Sequence, residues 1–179
     1  MKIGFCGTVS VGKTTLVNAL SELPEFKDYI TRTERSKYLM ELGIPLNTDS
    51  TLKGQCIFLS ERVTELFQPN IITDRTIIDV IAFSNLSTSM TSKEKATFNN
   101  LASNMISDYD YIFYVSPEGV EIEDNGVRET NSEYRDRIDN EIQSLLYFKG
   151  DLIKNIKHLK GTTEERIKTV KETIPFQYL

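Results

Sequence analysis

The chain has 179 residues, 21 of them basic and 26 acidic, for a formal net charge of −5 and a pI near 5.1. That length suits one domain with a sizeable core, and the lack of a long basic block argues against a protein built to coat nucleic acid. No apolar run approaches the roughly 18 residues of a membrane-spanning helix, the N-terminus reads straight into a strand without a leader pattern, and the two cysteines make a disulfide framework a poor fit, so a reducing cytoplasm is the expected setting.

The periodicity predicts short strands alternating with helices, the α/β signature. Strands are expected at 2–6, 28–31, 70–73, 111–115 and 156–159, with breakers at Pro24, Pro69, Pro117 and Gly161. Helices are expected near 13–22, 34–42, 52–67, 75–86, 93–107, 132–148 and 164–173. Thr130 with Glu133, and Thr162 with Glu165, have the spacing of capping boxes. Right-handed crossovers would make the sheet parallel, covered on both faces, with ligands at the carboxyl ends of its strands. The serine- and threonine-rich segment 84–95 reads as a flexible surface loop, and 116–131 as a plain loop or a lid.

The first strand runs into Gly7-Thr8-Val9-Ser10-Val11-Gly12-Lys13-Thr14, which fits G-x-x-x-x-G-K-[ST], and a helical repeat of Leu16, Leu20 and Leu23 follows. Gly7 and Gly12 permit positive φ and a close backbone approach. The amides of Val9, Ser10, Val11, Gly12 and Thr15 would then form an anion nest at a helix N-terminus. Lys13 would place a charge on the β- and γ-phosphates of ATP, and Thr14 a hydroxyl on Mg²⁺. Both cysteines sit in apolar surroundings, Cys6 before the loop reads as a small core residue, and the lone His158 as structural.

Each later strand delivers polar residues to the same edge. After the second come Arg32, Glu34 and Arg35, where the two arginines could fork a phosphate or carboxylate of the acceptor. Glu34 is diagnostic, because a hydroxyl nucleophile needs a base and an ionised phosphate does not. After the third come Asp74, placed to reach the metal shell, and Arg75, facing the acceptor or the attacking oxygen. After the fourth come Arg128, Arg135 and Arg137. An arginine on a closing segment would stabilise the transferring group and exclude water. Gly161 and Thr162, after the fifth, could hold the adenine edge.

With these residues in view, the chain resembles the P-loop nucleoside and nucleotide kinases. Thr31-Arg32-Thr33-Glu34, Asp74-Arg75-Thr76 and the run 108–115 are similar to thymidylate kinase and the phage-type deoxynucleoside monophosphate kinases. Gly126-Val127-Arg128 and 161–166 are similar to nicotinamide-riboside kinase-type domains. The resemblance implies a single P-loop kinase domain over 1–179, a five-stranded parallel sheet in the order 2-3-1-4-5, ATP as donor, and an arginine-bearing lid at 116–131. The expected activity is Mg²⁺-dependent phosphoryl transfer to a deoxynucleoside monophosphate. The alternatives are a kinase acting on a hydroxyl (a nucleoside, nicotinamide riboside or a hydroxymethylated base in DNA) and a P-loop ATPase or switch subunit. The partner is then a small nucleotide or nucleoside rather than a membrane, and a homodimer is left open. The family pattern is broken where Arg35 replaces a proline and Thr76 a tyrosine, both on the acceptor side.

Overall fold

The structure, a computed structural model, describes residues 1–33, 35–118 and 132–176. Five strands, β1 (Lys2–Cys6), β2 (Ile30–Arg32), β3 (Ile71–Asp74), β4 (Tyr111–Val115) and β5 (Ile156–Leu159), form one sheet in the order β2-β3-β1-β4-β5. Every neighbouring pair is parallel, and β1 at the centre pairs Ile3 with Ile72 on one side and Tyr111 on the other. This is the order expected from the resemblance.

The period of two along the strands divides the core. Ile3 and Phe5 of β1, with Phe113 and Val115 of β4, point to one face and meet α1 (Lys13–Ser21) and α7 (Thr163–Thr173) through Leu16, Val17, Leu20 and Val170. Cys6 of β1, with Ile112 and Tyr114 of β4, points to the other. There it meets α3 (Leu52–Glu65), α4 (Ile77–Leu86), α5 (Ser92–Ser103) and α6 (Ser132–Phe148). A short α2 (Ser36–Glu41) follows β2. Among the described residues no helix is long and apolar enough to cross a membrane.

Among the described residues capping boxes start three helices, Thr76 with Asp79 for α4, Thr91 with Glu94 for α5 and Thr162 with Glu165 for α7. The expected Thr130–Glu133 box lies partly outside the described residues. Elsewhere the structure corrects the expected boundaries. β2 begins two residues late because Tyr29 N still donates to Phe26 O, prolonging the turn after Pro24. β3 runs one residue further, so Asp74 is its last residue. The helix expected over 93–107 stops at Ser103 and gives way to a tight turn at Ile106–Asp108. Segment 84–95 is not a flexible surface loop. Ser84 and Ser87 are buried, and Ser87 Oγ and Thr88 N donate to Ser50 O and Thr48 O at 2.5 and 2.8 Å, tying the connection to the chain before α3. Cys6 is buried but Cys56 is exposed, on the outer side of α3. His158 is exposed on the edge strand β5, its ring 5.0 Å from that of Tyr114.

Candidate active site

The loop between β1 and α1 is shaped by three left-handed residues, Gly7, Ser10 and Gly12, at φ 151°, 55° and 80°. A β-carbon on Gly7 would stand 2.7 Å from the carbonyl oxygen of Val115, so the loop can pass β4 only with glycine there. Gly12 caps α1 without a side-chain hydrogen bond, which leaves the first amides of the helix to a ligand. Val9, Ser10 and Val11 turn their side chains inward and Thr15 is exposed. Lys13 is buried, and its Nζ donates to Gly7 O at 2.8 Å and Thr8 O at 2.7 Å, placing the ammonium against the loop's own main chain.

Thr14 Oγ1 donates to Asp74 Oδ2 at 2.5 Å, so the first turn of α1 and the end of β3 meet beside the loop. The other carboxylate oxygen, Asp74 Oδ1, is buried and has no hydrogen-bond partner. A hydroxyl and an incompletely satisfied carboxylate are a hard-oxygen pair, and Mg²⁺ characteristically takes one or two protein oxygens, keeping water and phosphate for the rest. The residues therefore fit Mg²⁺ bound with a phosphate ligand. Arg62, from α3, braces this corner by donating to Asp74 O at 2.9 Å and pairing with Glu65 at 2.8 Å. Burial pushes the Glu65 carboxyl up despite that pairing.

Arg75 adopts φ 81°, unusual for a residue with a β-carbon, and its amide donates to Phe5 O of β1 at 2.9 Å. Its guanidinium lies 4.7 Å above the ring of Phe83 and 3.9 Å from Asp79. Arg75 and Asp79 line a pocket with Asn47, Gln55, Phe58 and Phe83. Arg75 is its one cation among the described residues. Arg32 and Arg35 are not in that lining. They border a separate open groove with Lys53 and Cys56 of α3, and Arg35 pairs with Glu61 there at 3.4 Å. Glu34 and Arg128 lie outside the described residues.

Arg135, at the start of α6, is 9% exposed, and its Nε and Nη2 are buried without a hydrogen-bond partner. Its carbonyl accepts from Thr8 Oγ1 at 2.9 Å, which fastens α6 to the loop. Gly161 (φ 80°) precedes Thr162, the N-cap of α7, and a β-carbon on Gly161 would collide with the Glu165 carboxylate that closes the capping box.

Two residues outside the sequence expectations hold the loop. Arg166 is buried, and its Nη1 and Nη2 donate to Val11 O at 2.7 Å and Ser116 O at 3.2 Å. Burial lowers the pKa of its guanidinium. Asp79 is fully buried and accepts from Gly7 N at 3.1 Å. The Thr76–Asp79 spacing was readable as a capping box, but its link to the loop was not. Arg166 closes the 161–166 run that carried a resemblance, but nothing in that run pointed to a contact with the loop.

The sequence matches the family described as AAA domain over residues 2–166. No curated protein matches it by sequence. Among solved structures the chain is similar to deoxyadenosine kinase from M. mycoides with the products dCMP and a flexible dCDP bound (TM-score 0.63, 18% identity, 96% of this chain and 97% of that one). It is also similar to the NadR protein in complex with NR (TM-score 0.73, 20% identity, 99% of this chain and 53% of that one). A further NadR structure, with NAD and AMP-PNP, gives a TM-score of 0.67 at 18% identity over 99% of this chain and 51% of that one. At these identities the likeness is one of fold, and it lends no support to a particular nearness to thymidylate kinase.

Proposed function

The chain belongs to the AAA domain family, and from that premise we propose that it is an ATP-dependent kinase whose acceptor is a hydroxyl of a nucleoside. One observation carries the choice of acceptor. The pocket beside the phosphate loop is lined by Phe58, Phe83, Leu46 and Val80 with the amides of Asn47 and Gln55, and Arg75 is its one cation, already facing Asp79. Aromatic walls and a few amides suit a base and sugar. The dianionic phosphate of a nucleoside monophosphate calls for more positive charge, and Arg32 and Arg35, expected to provide it, border the other groove. The names of the similar structures, a deoxyadenosine kinase and a NadR protein with NR, agree with this reading over the deoxynucleoside monophosphate expected first.

In this reading the loop amides and Lys13 hold the triphosphate, and Thr14 with Asp74 holds Mg²⁺. Bound there, Mg²⁺ neutralises phosphate charge and orients the β- and γ-groups. Arg75 positions the acceptor, and Arg135, whose buried nitrogens lack partners, supplies charge at the transferring group, with Arg128 assigned the same task from its place in the sequence. The acceptor oxygen attacks the γ-phosphorus, the bond to the bridging oxygen of ADP breaks, and the hydroxyl proton passes to a carboxylate, for which we assign Glu34.

The test is transfer from γ-labelled ATP with Mg²⁺ to deoxyadenosine, deoxycytidine, nicotinamide riboside and the corresponding 5′-monophosphates. Label is expected on nucleosides. Label confined to monophosphates, or ATP hydrolysis with no phosphorylated product, overturns the reading. Glu34→Gln is expected to lower kcat about a hundredfold or more at unchanged folding, whereas near-normal turnover would remove the base from the mechanism.

A further inference from the structure

One carboxylate oxygen stands between the two halves of the site. Asp79 Oδ2 is engaged by the α4 cap, accepting from Thr76 N at 2.7 Å and Thr76 Oγ1 at 2.9 Å. Oδ1 accepts from Gly7 N, the first amide of the phosphate loop, at 3.1 Å, and has Arg75 Nη1 at 3.9 Å. That Nη1 is buried and has no hydrogen-bond acceptor. It belongs to the cation of the acceptor pocket, which Asp79 also lines. The guanidinium is brought there by a left-handed backbone, the kind of conformation that persists only where its surroundings impose it. Gly7 in turn presents its carbonyl to Lys13 Nζ at 2.8 Å. A path of direct contacts therefore runs from the acceptor pocket through Arg75, Asp79 and Gly7 to the lysine of the donor site.

We propose that Asp79 couples the two substrate sites. An acceptor that draws the Arg75 guanidinium to itself leaves Asp79 Oδ1 to the Gly7 amide, and the firmer hydrogen bond fixes the opening turn of the phosphate loop for the donor. This rests on the nucleoside-kinase reading for the identity of the acceptor, but not for the contact itself. A carboxylate oxygen that also faces a guanidinium holds its one hydrogen-bonded amide less firmly than it would without that charge, and in a buried site the difference is little screened by water. Asp79 touches neither reacting atom under this proposal and is a positioning residue. By linkage the effect is reciprocal, so donor binding strengthens acceptor binding by the same factor.

Two measurements test it. In ¹⁵N-labelled protein, Arg75→Met removes the guanidinium with no acceptor present. The Gly7 amide proton is expected to move downfield and exchange more slowly with solvent, and an unchanged Gly7 resonance overturns the proposal whatever the acceptor is. In calorimetry, AMP-PNP with Mg²⁺ is titrated with and without saturating deoxyadenosine. Wild-type protein is expected to bind AMP-PNP about fivefold or more tightly when deoxyadenosine is present, and Asp79→Asn less than about twofold more tightly. If deoxyadenosine binds wild type without tightening AMP-PNP, the coupling falls and the nucleoside reading stands. If no nucleoside binds yet Arg75→Met moves the Gly7 resonance, the coupling stands and the nucleoside reading falls.

Discussion

Arg166 shows how much a single side chain can decide at this site. Its guanidinium is the donor for a carbonyl of the phosphate loop and for one at the end of β4, and both contacts are buried. Removing it leaves two carbonyls without a donor in a place water does not reach, which costs about 1–3 kcal/mol. Arg166→Ala is therefore expected to lower the unfolding temperature and to raise the KM for ATP while the KM for the acceptor stays near its wild-type value. Steady-state kinetics in both substrates check it, and an unaltered KM for ATP would reduce Arg166 to a packing residue. The lysine of the same loop has a local sequence signature. The hold of Arg166 on that loop has none, because its partners lie 155 and 50 residues away.

Among the elements, the contact between β1 and the start of α4 leaves no room for a β-carbon on β1 at Gly4. Gly4 sits in the middle of β1, and a β-carbon there would meet Thr76 Cγ2 at 2.5 Å and Tyr109 Cε1 at 2.7 Å. Thr76 caps α4 and holds Asp79, so displacing it disturbs both the helix start and the carboxylate against Gly7. Gly4→Ala is expected to cost about 1–3 kcal/mol, a fall of roughly 2–12 °C in Tm, and to lower turnover with it. Adding Thr76→Ser removes the nearer of the two obstructing atoms while keeping the hydroxyl. The double variant should then be more stable than Gly4→Ala by thermal unfolding, and a purely additive loss would show that Thr76 is not the obstruction.

Across the whole molecule, the sheet separates the proposed site from a bracing cluster. The loop, Asp74, Arg75, Ser116 and Arg166 gather at the carboxyl ends of the strands, the edge where parallel sheets bind ligands. At the opposite edge Asp110 ties three segments together, accepting from Lys2 N at 2.9 Å and Lys154 Nζ at 2.8 Å, while Asn155 donates to its carbonyl. Burial works to raise the Asp110 carboxyl, but Lys154 and the Lys2 amide outweigh it and hold the pKa below the usual range. The folded value is thus below the unfolded one of about 3.9, so the contribution is present above that pH and is lost as pH falls through the folded value. Asp110→Asn should lower stability at pH 7 by under about 1 kcal/mol, given its partial exposure. The difference from wild type should shrink toward pH 3, with no change in turnover at neutral pH. Unfolding at the two pH values checks the sign, and a difference that grows on acidification would contradict it.

What the sequence determined by itself is local. The glycine loop, the alternation of strand and helix, and the Thr162–Glu165 box are written in spacings of a few residues, which backbone geometry converts directly into structure. The tertiary structure alone decided which distant surfaces meet. It set Asp79 against Gly7 across 72 residues and Thr8 against Arg135 across 127. It also placed Arg32 and Arg35 along the α3 groove rather than in the Arg75 pocket. Periodicity fixes the face a residue takes within its own element, but the neighbour on that face depends on how helices pack over a twisted sheet, and that packing is a property of the assembled core.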